Sequence, residues 1–125
     1  MFILHPRLEA DTHFITKLGI CNLYLMDDQR YLWTILVPAQ PDLVELHDLT
    51  PSDYTDVMTS VRRLSEILKT DFGAEKVNVG ALGNMVPQLH IHILARHGKD
   101  FAWPAPVWGQ GSAEAYNPQA IETLR

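Results

Sequence analysis

Two histidines, His90 and His92, lie two residues apart in the apolar segment PQLHIHILAR, and Gln88 precedes them in the same alternation. Successive side chains of a β-strand point to opposite faces, so these three polar side chains would share one face and the apolar side chains between them would share the other. At a rise of about 3.3 Å per residue, the two imidazoles stand about 6.6 Å apart at their bases. Both can therefore reach one substrate group or one metal ion.

A pair of imidazoles on one face suits chemistry at phosphorus. A neutral imidazole is a nucleophile near neutral pH, because the ordinary pKa of histidine is about 6.5. It can attack phosphorus to give a phosphoryl- or nucleotidyl-histidine, which divides a difficult displacement into two easier steps. A second imidazole or an amide beside it can bind the phosphoryl oxygens or protonate the leaving group.

Two other interpretations of the pair stay open on spacing alone. Histidines at positions i and i+2 of a strand can together ligate zinc, copper or iron. A third ligand would have to come from a distant part of the chain, since the sequence contains no CxxC or HExxH motif. The pair can also be structural, with each imidazole solvated or hydrogen-bonded on a polar face.

The composition is that of an ordinary globular domain. With 125 residues, of which 46% are hydrophobic and 20% charged, the chain can bury one core without disulfides or a structural metal. A formal net charge of −5 argues against broad electrostatic binding to nucleic acid or to an anionic membrane. No signal peptide or membrane-length apolar run is recognised, and the single cysteine, Cys21, has no intrachain partner. We therefore expect a cytoplasmic protein with a buried, reduced thiol.

The hydrophobic pattern predicts two pairs of strands. Residues 21–27 and 31–38 are expected to form an antiparallel hairpin, and residues 75–82 and 89–96 a second pair joined by a short loop. With a helix between the pairs, this order is typical of an α+β domain. We expect an antiparallel sheet of about five strands with one long amphipathic helix packed on it.

The clearest helix signal begins at residue 50. Thr50 is a suitable N-cap, Pro51 suits the first helical position, and apolar residues follow at helical spacing as far as Gly73. A short helix is also expected around residues 8–14, and another within residues 112–125.

The segment QLHIHILAR resembles the motif of the histidine triad (HIT) family, His-φ-His-φ-His-φ-φ, where φ is apolar. Upstream, NVGALGNMVP resembles the family's Asn/Gln-containing strand and its Gly-Gln-Ser/Thr-Val loop. LYLMDDQRYLWTILVPA resembles the first hairpin, whose second strand reads Gly-His-φ-Leu-Val-Ile-Pro, and Trp103-Pro104 matches a segment of some members. The resemblance covers residues 3–109, so we expect a HIT-like domain over residues 1–109 and a C-terminal extension, partly helical, over residues 110–125.

The resemblance implies a nucleotide hydrolase or nucleotidyl transferase, commonly a homodimer, whose middle triad histidine attacks the α-phosphorus. Alignment on the trailing ILAR gives His90 this nucleophilic role and makes His92 the residue that binds phosphate oxygens or assists the leaving group. It further implies that Asn78 contacts the phosphate, that Asn84 replaces the loop glutamine and that Asp27 binds the ribose hydroxyls.

Three positions depart from the family pattern. Gln88 stands where the first triad histidine is expected, although its amide can still orient a neighbouring imidazole. Met85 replaces the loop Ser/Thr, which argues against efficient protonation of an amine leaving group. Trp33 replaces the histidine of the hairpin motif.

We therefore predict an enzyme that acts at the α-phosphorus of a purine nucleotide, such as a dinucleoside polyphosphate, through a nucleotidyl-histidine intermediate and without a cofactor. Gln88, His90 and His92 form the predicted catalytic set. One alternative is a HIT-fold nucleotide-binding module with little catalysis. The other is a metal-dependent enzyme in which His90 and His92 are ligands.

Overall fold

The computed structural model of the chain describes residues 1–124. The strands of its sheet are β1 (Thr12–Leu18), β2 (Cys21–Met26), β3 (Leu32–Pro38), β4 (Lys76–Gly80) and β5 (Ile91–Arg96). The α-helices of the described residues are α1 (Pro6–Asp11), α2 (Pro51–Thr70) and α3 (Pro118–Leu124), and a 3-10 turn covers Leu46–Asp48. Within residues 1–124, no helix combines the length and the apolar character that a membrane crossing requires.

The five strands form one antiparallel sheet in the order β1–β2–β3–β5–β4. The predicted hairpin of β2 and β3 is confirmed, with Leu23 opposite Leu36. The predicted pairing of β4 with β5 is confirmed as well. The α+β fold class is therefore confirmed, and β5, which carries His92, is an inner strand held on both sides.

Helix α2 packs on one face of this sheet. Its N-terminus forms as the sequence predicts, because Oγ1 of Thr50 accepts a hydrogen bond from the Asp53 N–H at 3.1 Å and Pro51 occupies the first turn. The buried apolar residues of α2 are Val57, Val61, Leu64 and Leu68. They belong to one core cluster with Ile91 and Ile93 of β5, so the apolar half of the β5 alternation faces the helix.

The other face of the sheet is covered by residues 97–116, which we call the C-terminal strap. A second core cluster joins Trp33 and Ile35 of β3 and Leu94 of β5 to Ala102 and Val107 of the strap. Because side chains alternate along β5, the face that carries Leu94 also carries His92. The face of β5 that carries His92 therefore lies between the sheet and the strap.

Two buried ion pairs hold the strap in place. Nε of Arg96 donates to Oδ2 of Asp100 at 2.7 Å, and the Arg96 side chain is only 2% exposed. Hydrogen bonds from Arg96 hold the pKa of Asp100 below its ordinary value. At the other end, Arg30 bonds both the buried carboxylate of Asp28 and the carbonyl oxygen of Gln110, each at 2.8 Å. Each charge is thus compensated where it is buried.

Strand β1 was not predicted from the sequence. The sequence THFITKL leaves little pattern to find, because β1 is an edge strand paired with β2 alone and most of its residues are partly or fully exposed. The helix expected at residues 8–14 is found earlier and is shorter, at Pro6–Asp11, because Thr12 already has an extended backbone.

Strand β5 begins at Ile91, two residues later than the strand predicted from residue 89. Its pairing with β3 ends where Leu36 lies opposite Ile91, and its pairing with β4 ends where Gly80 lies opposite His92. The N–H of Leu89 instead donates to the carbonyl oxygen of Leu43 at 2.9 Å. His90 therefore belongs to the loop that leads into the strand.

The C-terminal helix expected within residues 112–125 is found as α3, which buries Ile121, while Arg125 lies outside the described residues. The chain before it is bonded to the β2–β3 turn, where the Gln29 N–H donates to the carbonyl oxygen of Glu114 at 2.7 Å. The domain boundary expected after residue 109 stays a prediction.

Candidate active site

His90 is held by the backbone of its own loop. Its Nδ1 lies 2.7 Å from the carbonyl oxygen of Gln88. A carbonyl oxygen can only accept a hydrogen bond, so Nδ1 of the neutral ring carries the proton and Nε2 keeps its lone pair. This is the tautomer that a nucleophile attacking through Nε2 requires.

His92 is held by a side chain on the neighbouring strand. Nε1 of Trp33 donates a buried hydrogen bond to Nδ1 of His92 at 2.9 Å. The indole N–H can only donate, so Nδ1 of His92 is the acceptor and Nε2 carries the proton. His90 and His92 therefore present opposite functions at Nε2, a lone pair on the first and an N–H on the second.

The surroundings of His92 keep it uncharged. The residue is only 5% exposed. Burial, with a smaller contribution from the charge of His90, lowers the pKa of His92 from 6.5 to about 3. His92 is thus a neutral hydrogen-bond donor at physiological pH and not a reservoir of protons.

The two rings lie together at a cavity of about 360 Å³. Their centroids are 4.9 Å apart in an edge-on arrangement. The walls come from α1, the end of β2, Trp33 of β3, the β4–β5 loop and the strap. A second cavity, of about 300 Å³, also reaches His90 and is lined in addition by Glu45, His47 and Gln88. The nucleophile candidate is therefore approached from two concave surfaces.

Trp108 forms the strap side of the first cavity. Its ring centroid lies 5.4 Å from that of His92 and 6.4 Å from that of Trp33. Gly80 of β4 makes this approach possible, because a Cβ at that position would lie 3.0 Å from the Trp108 ring. The aromatic wall shields His92 from water, which accounts for the burial that lowers its pKa.

The structure brings together three of the six residues that the sequence analysis singled out. His90, His92 and Asn84 line the first cavity, and Met85, at the position of the family's Ser/Thr, lines it beside Asn84. Gln88 lines the second cavity next to His90. Its side-chain amide is hydrogen-bonded to the backbone of the N-terminal segment.

Asp27 and Asn78 do not line the cavity that holds the histidines. Oδ1 of Asp27 accepts a hydrogen bond from the Tyr116 N–H at 2.9 Å and lies 3.0 Å from Nε2 of His13. Oδ1 of Asn78 accepts from Nη1 of Arg96 at 2.9 Å. Both side chains thus have hydrogen-bond partners outside that cavity, and the ribose and phosphate contacts that the family resemblance implies for them stay predictions.

The contributions of α1 and of Trp108 to the cavity were not predicted from the sequence. Arg7, Leu8 and Asp11 of α1 line the cavity, with the guanidinium of Arg7 3.6 Å from the Asp11 carboxylate. No local pattern marks these residues, because their position depends on where the N-terminal segment docks. Trp33, by contrast, could be singled out from the sequence, because it stands where the family motif has a histidine.

The alternative of a metal site gains no support from the geometry. Both imidazoles already use Nδ1 in hydrogen bonds, so a metal ion could meet them only at Nε2. In the part of the chain that the structure describes, no group of three or more His, Cys, Asp or Glu side chains is placed to hold a metal ion.

Comparison with known proteins identifies the family. Residues 7–99 match the HIT domain. The chain belongs to the HIT family. The match covers β1 to β5 and α2, and hence both histidines and the loop that precedes them.

Solved structures of HIT proteins have the same fold over nearly the whole chain. A histidine triad (HIT) protein from Sinorhizobium meliloti 1021 is 45% identical, with a TM-score of 0.95 over 98% of this chain and 91% of that chain. One from Bradyrhizobium japonicum is 41% identical, with a TM-score of 0.94 over 98% and 92% of the two chains. One from Marinobacter aquaeolei VT8 is 40% identical, with a TM-score of 0.96 over 99% and 90%.

A curated relative with a described activity matches part of the chain. The asymmetrical bis(5'-nucleosyl)-tetraphosphatase of Schizosaccharomyces pombe (strain 972 / ATCC 24843) is 38% identical over 73 residues, which are 54% of this chain. The chain spans only 40% of the length of that relative.

Burial of a neutral His92 predicts stability that declines in acid. In the unfolded chain this imidazole binds a proton below pH 6.5, whereas the folded protein keeps it neutral to about pH 3, so the free energy of unfolding falls as the pH drops through this window. Between about pH 7.5 and about pH 5 this group alone should cost about 2 kcal/mol of stability. In His92→Gln, which keeps an acceptor for the Trp33 N–H, urea unfolding should show a pH-dependent loss smaller by that amount.

The matched control is His97→Gln, since His97 is an exposed histidine outside the site. It should reproduce the pH dependence of the wild type. An equal loss of stability in the wild type and in His92→Gln would contradict a buried, neutral His92.

Proposed function

We propose that this HIT protein is a nucleotide hydrolase or nucleotidyl transferase that acts at the α-phosphorus of a nucleotide through a nucleotidyl-His90 intermediate. The observation that carries the proposal is the pair of opposite tautomers. His90 has a lone pair at Nε2 and His92 has an N–H at Nε2, and both rings line one cavity. A nucleophile and a donor for the phosphoryl oxygens are thus side by side before any substrate binds.

In the first step, Nε2 of His90 attacks the α-phosphorus, a P–N bond forms, and the bond from phosphorus to the leaving group breaks with its electrons going to the leaving group. The N–H at Nε2 of His92 donates to a non-bridging oxygen, whose negative charge grows in the transition state. The charge that develops on the His90 ring is stabilised at Nδ1–H by the carbonyl oxygen of Gln88. In the second step, water or a hydroxyl acceptor attacks phosphorus, the P–N bond breaks, the lone pair returns to His90 and a proton passes to solvent.

Purine nucleotides joined by a polyphosphate chain are the proposed substrates. The similarity to the tetraphosphatase of Schizosaccharomyces pombe supports this class, and the adjoining cavities of about 360 and 300 Å³ leave room on two sides of His90. The homodimer, the cytoplasmic location and the lack of nucleic-acid and membrane partners stay predictions from the sequence.

The side chains that line the cavity of about 360 Å³ favour a leaving group that departs without accepting a proton. His92 is neutral with a pKa of about 3, and the loop position next to Asn84 holds the thioether of Met85, which cannot donate a proton. The remaining carboxyl group on the cavity, Asp11, is paired with Arg7. Phosphates leave readily as anions, whereas an amine must be protonated as it leaves. We therefore propose a phosphoanhydride substrate over a phosphoramidate.

The nucleophile is tested by covalent trapping. Dinucleoside tetraphosphate labelled in a terminal nucleotide is mixed with protein and quenched in base, because a phosphoramidate bond to histidine survives alkali. The wild type and the His97→Ala control should retain label, while His90→Ala should retain none and should lose turnover by about 1,000-fold or more. Labelling of His90→Ala equal to that of the wild type would contradict the assignment, and tight AMP binding by calorimetry without any turnover would favour the binding module.

The leaving group is tested with two substrates of the same nucleoside. Turnover of adenosine 5'-phosphoramidate should be about 100-fold slower than that of diadenosine tetraphosphate, because general-acid assistance of this size is missing. Met85→Ser, which supplies a hydroxyl on the loop, should raise the phosphoramidate rate selectively, while the matched variant Met85→Ala should not. Equal wild-type rates on the two substrates would contradict the anhydride preference.

A further inference from the structure

The side chain of Gln88 is bonded to the start of the chain. Its Oε1 accepts a hydrogen bond from the His5 N–H at 2.8 Å, and its Nε2 donates to the carbonyl oxygen of Ile3 at 2.9 Å. These partners lie 83 and 85 residues away in sequence. We call this pair of hydrogen bonds the Gln88 clip.

The backbone of the same residue bonds the nucleophile candidate. The carbonyl oxygen of Gln88 accepts from Nδ1–H of His90 at 2.7 Å. Gln88 therefore joins the N-terminal segment, through its side chain, to the ring of His90, through its main chain. The side-chain bonds to the N-terminal segment and the main-chain bond to His90 are therefore separate, and a substitution of the side chain removes only the first.

The segment held by the clip leads directly into a wall of the cavity. His5 is the N-cap of α1, and its Nδ1 accepts from the Arg7 N–H at 3.1 Å. Arg7, Leu8 and Asp11 then line the cavity that contains both imidazoles. A helix of six residues is too short to be stable alone, so its position depends on its attachments. Its N-terminal side is attached by the packing of Phe2 and Leu4 against the second core cluster and by the two hydrogen bonds of the clip.

An amide suits this attachment better than the imidazole found in the family motif. A primary amide presents an acceptor and a donor side by side, which matches the carbonyl of one residue and the N–H of the residue two further along. The two nitrogens of an imidazole point in diverging directions and cannot reach both groups in this geometry.

We propose that Gln88 is a positioning residue that holds the N-terminal segment as a wall of the nucleotide cavity and thereby sets nucleotide affinity. Its side chain takes no part in the reaction at phosphorus, whereas its main-chain carbonyl accepts the hydrogen bond from Nδ1–H of His90. The inference rests on the proposed function for what the cavity binds, whereas the clip itself can be measured without turnover.

The first test separates affinity from rate in Gln88→Ala. Loss of two neutral hydrogen bonds should raise KM for diadenosine tetraphosphate, and Kd for AMP by calorimetry, about 10-fold. The value of kcat should stay within about 3-fold of the wild type, because the carbonyl that bonds His90 is still present. Gln88→Glu keeps the acceptor for His5 but sets a carboxylate oxygen against the carbonyl oxygen of Ile3, so it should not restore the affinity that Gln88→Ala loses.

The second test removes the partner atom. His5→Pro deletes the N–H that the clip uses, and the φ of −55° at His5 suits proline. His5→Ala is the matched variant, since it loses the same imidazole but keeps the N–H. The rise in Kd should be larger in His5→Pro than in His5→Ala, and His5→Pro should add little to Gln88→Ala because both break the same bond.

Amide hydrogen exchange of residues 1–10 gives a readout that is independent of activity. Exchange in this segment should be faster in Gln88→Ala than in the wild type, while exchange of α2 should not change. A fall in kcat of about 100-fold at constant KM would overturn the proposal, since Gln88 would then act on the reacting pair. Unchanged exchange and unchanged AMP affinity would overturn it too. If the wild type binds AMP but turns over no nucleotide, the proposed function fails while exchange and affinity still decide the role of the clip.

Discussion

Each imidazole of the site is hydrogen-bonded at Nδ1 to a neighbour that can act only as a donor or only as an acceptor. A carbonyl oxygen must accept and an indole N–H must donate, so the two rings cannot adopt the same neutral tautomer while both bonds are kept. Opposite functions at the two Nε2 atoms follow from this constraint. The indole of Trp33 also contributes to the burial that keeps His92 neutral. The exchange of a family histidine for tryptophan is therefore compatible with a working site, provided that the substrate does not require a proton donor.

The rest of the fold keeps these neighbours in register. β5 is bonded to β3 on one side and to β4 on the other, and its apolar residues are fixed against α2. On the opposite face, the strap covers the site and brings Trp108 against His92. The strap is held by charges that are paired where they are buried, Arg96 with Asp100 and Arg30 with Asp28. Breaking such a pair leaves an uncompensated buried charge, so removing one partner is expected to destabilise the strap.

The parts of the fold that could be read from the sequence are those with a local physical cause. Thr50 and Pro51 start α2 through their own chemistry, and the β5 alternation separates core from site because side chains of a strand alternate. Edge strand β1 was not predicted because its partly exposed residues show no clear alternation of apolar and polar side chains. The hydrogen-bond partners of Asp27 and Asn78 could not be predicted, for another reason. Their side chains meet partners far along the chain, and no local spacing reports such contacts. The same holds for the clip at Gln88. The sequence shows that Gln88 departs from the family motif but does not show that its side chain bonds Ile3 and His5.

The opposite tautomers are the central claim, and nitrogen NMR of the imidazole rings measures them directly. In protein labelled with ¹⁵N-histidine, long-range proton–nitrogen correlations at neutral pH should assign the proton of His90 to Nδ1 and the proton of His92 to Nε2. The His92 nitrogen shifts should stay constant as the pH is lowered to about 5, because the pKa of this ring lies near 3. In Trp33→Phe, which lacks the indole N–H, the His92 signals should move toward a mixture of tautomers. The same tautomer for both rings in the wild type, or protonation of His92 between about pH 5 and about pH 7, would contradict the account.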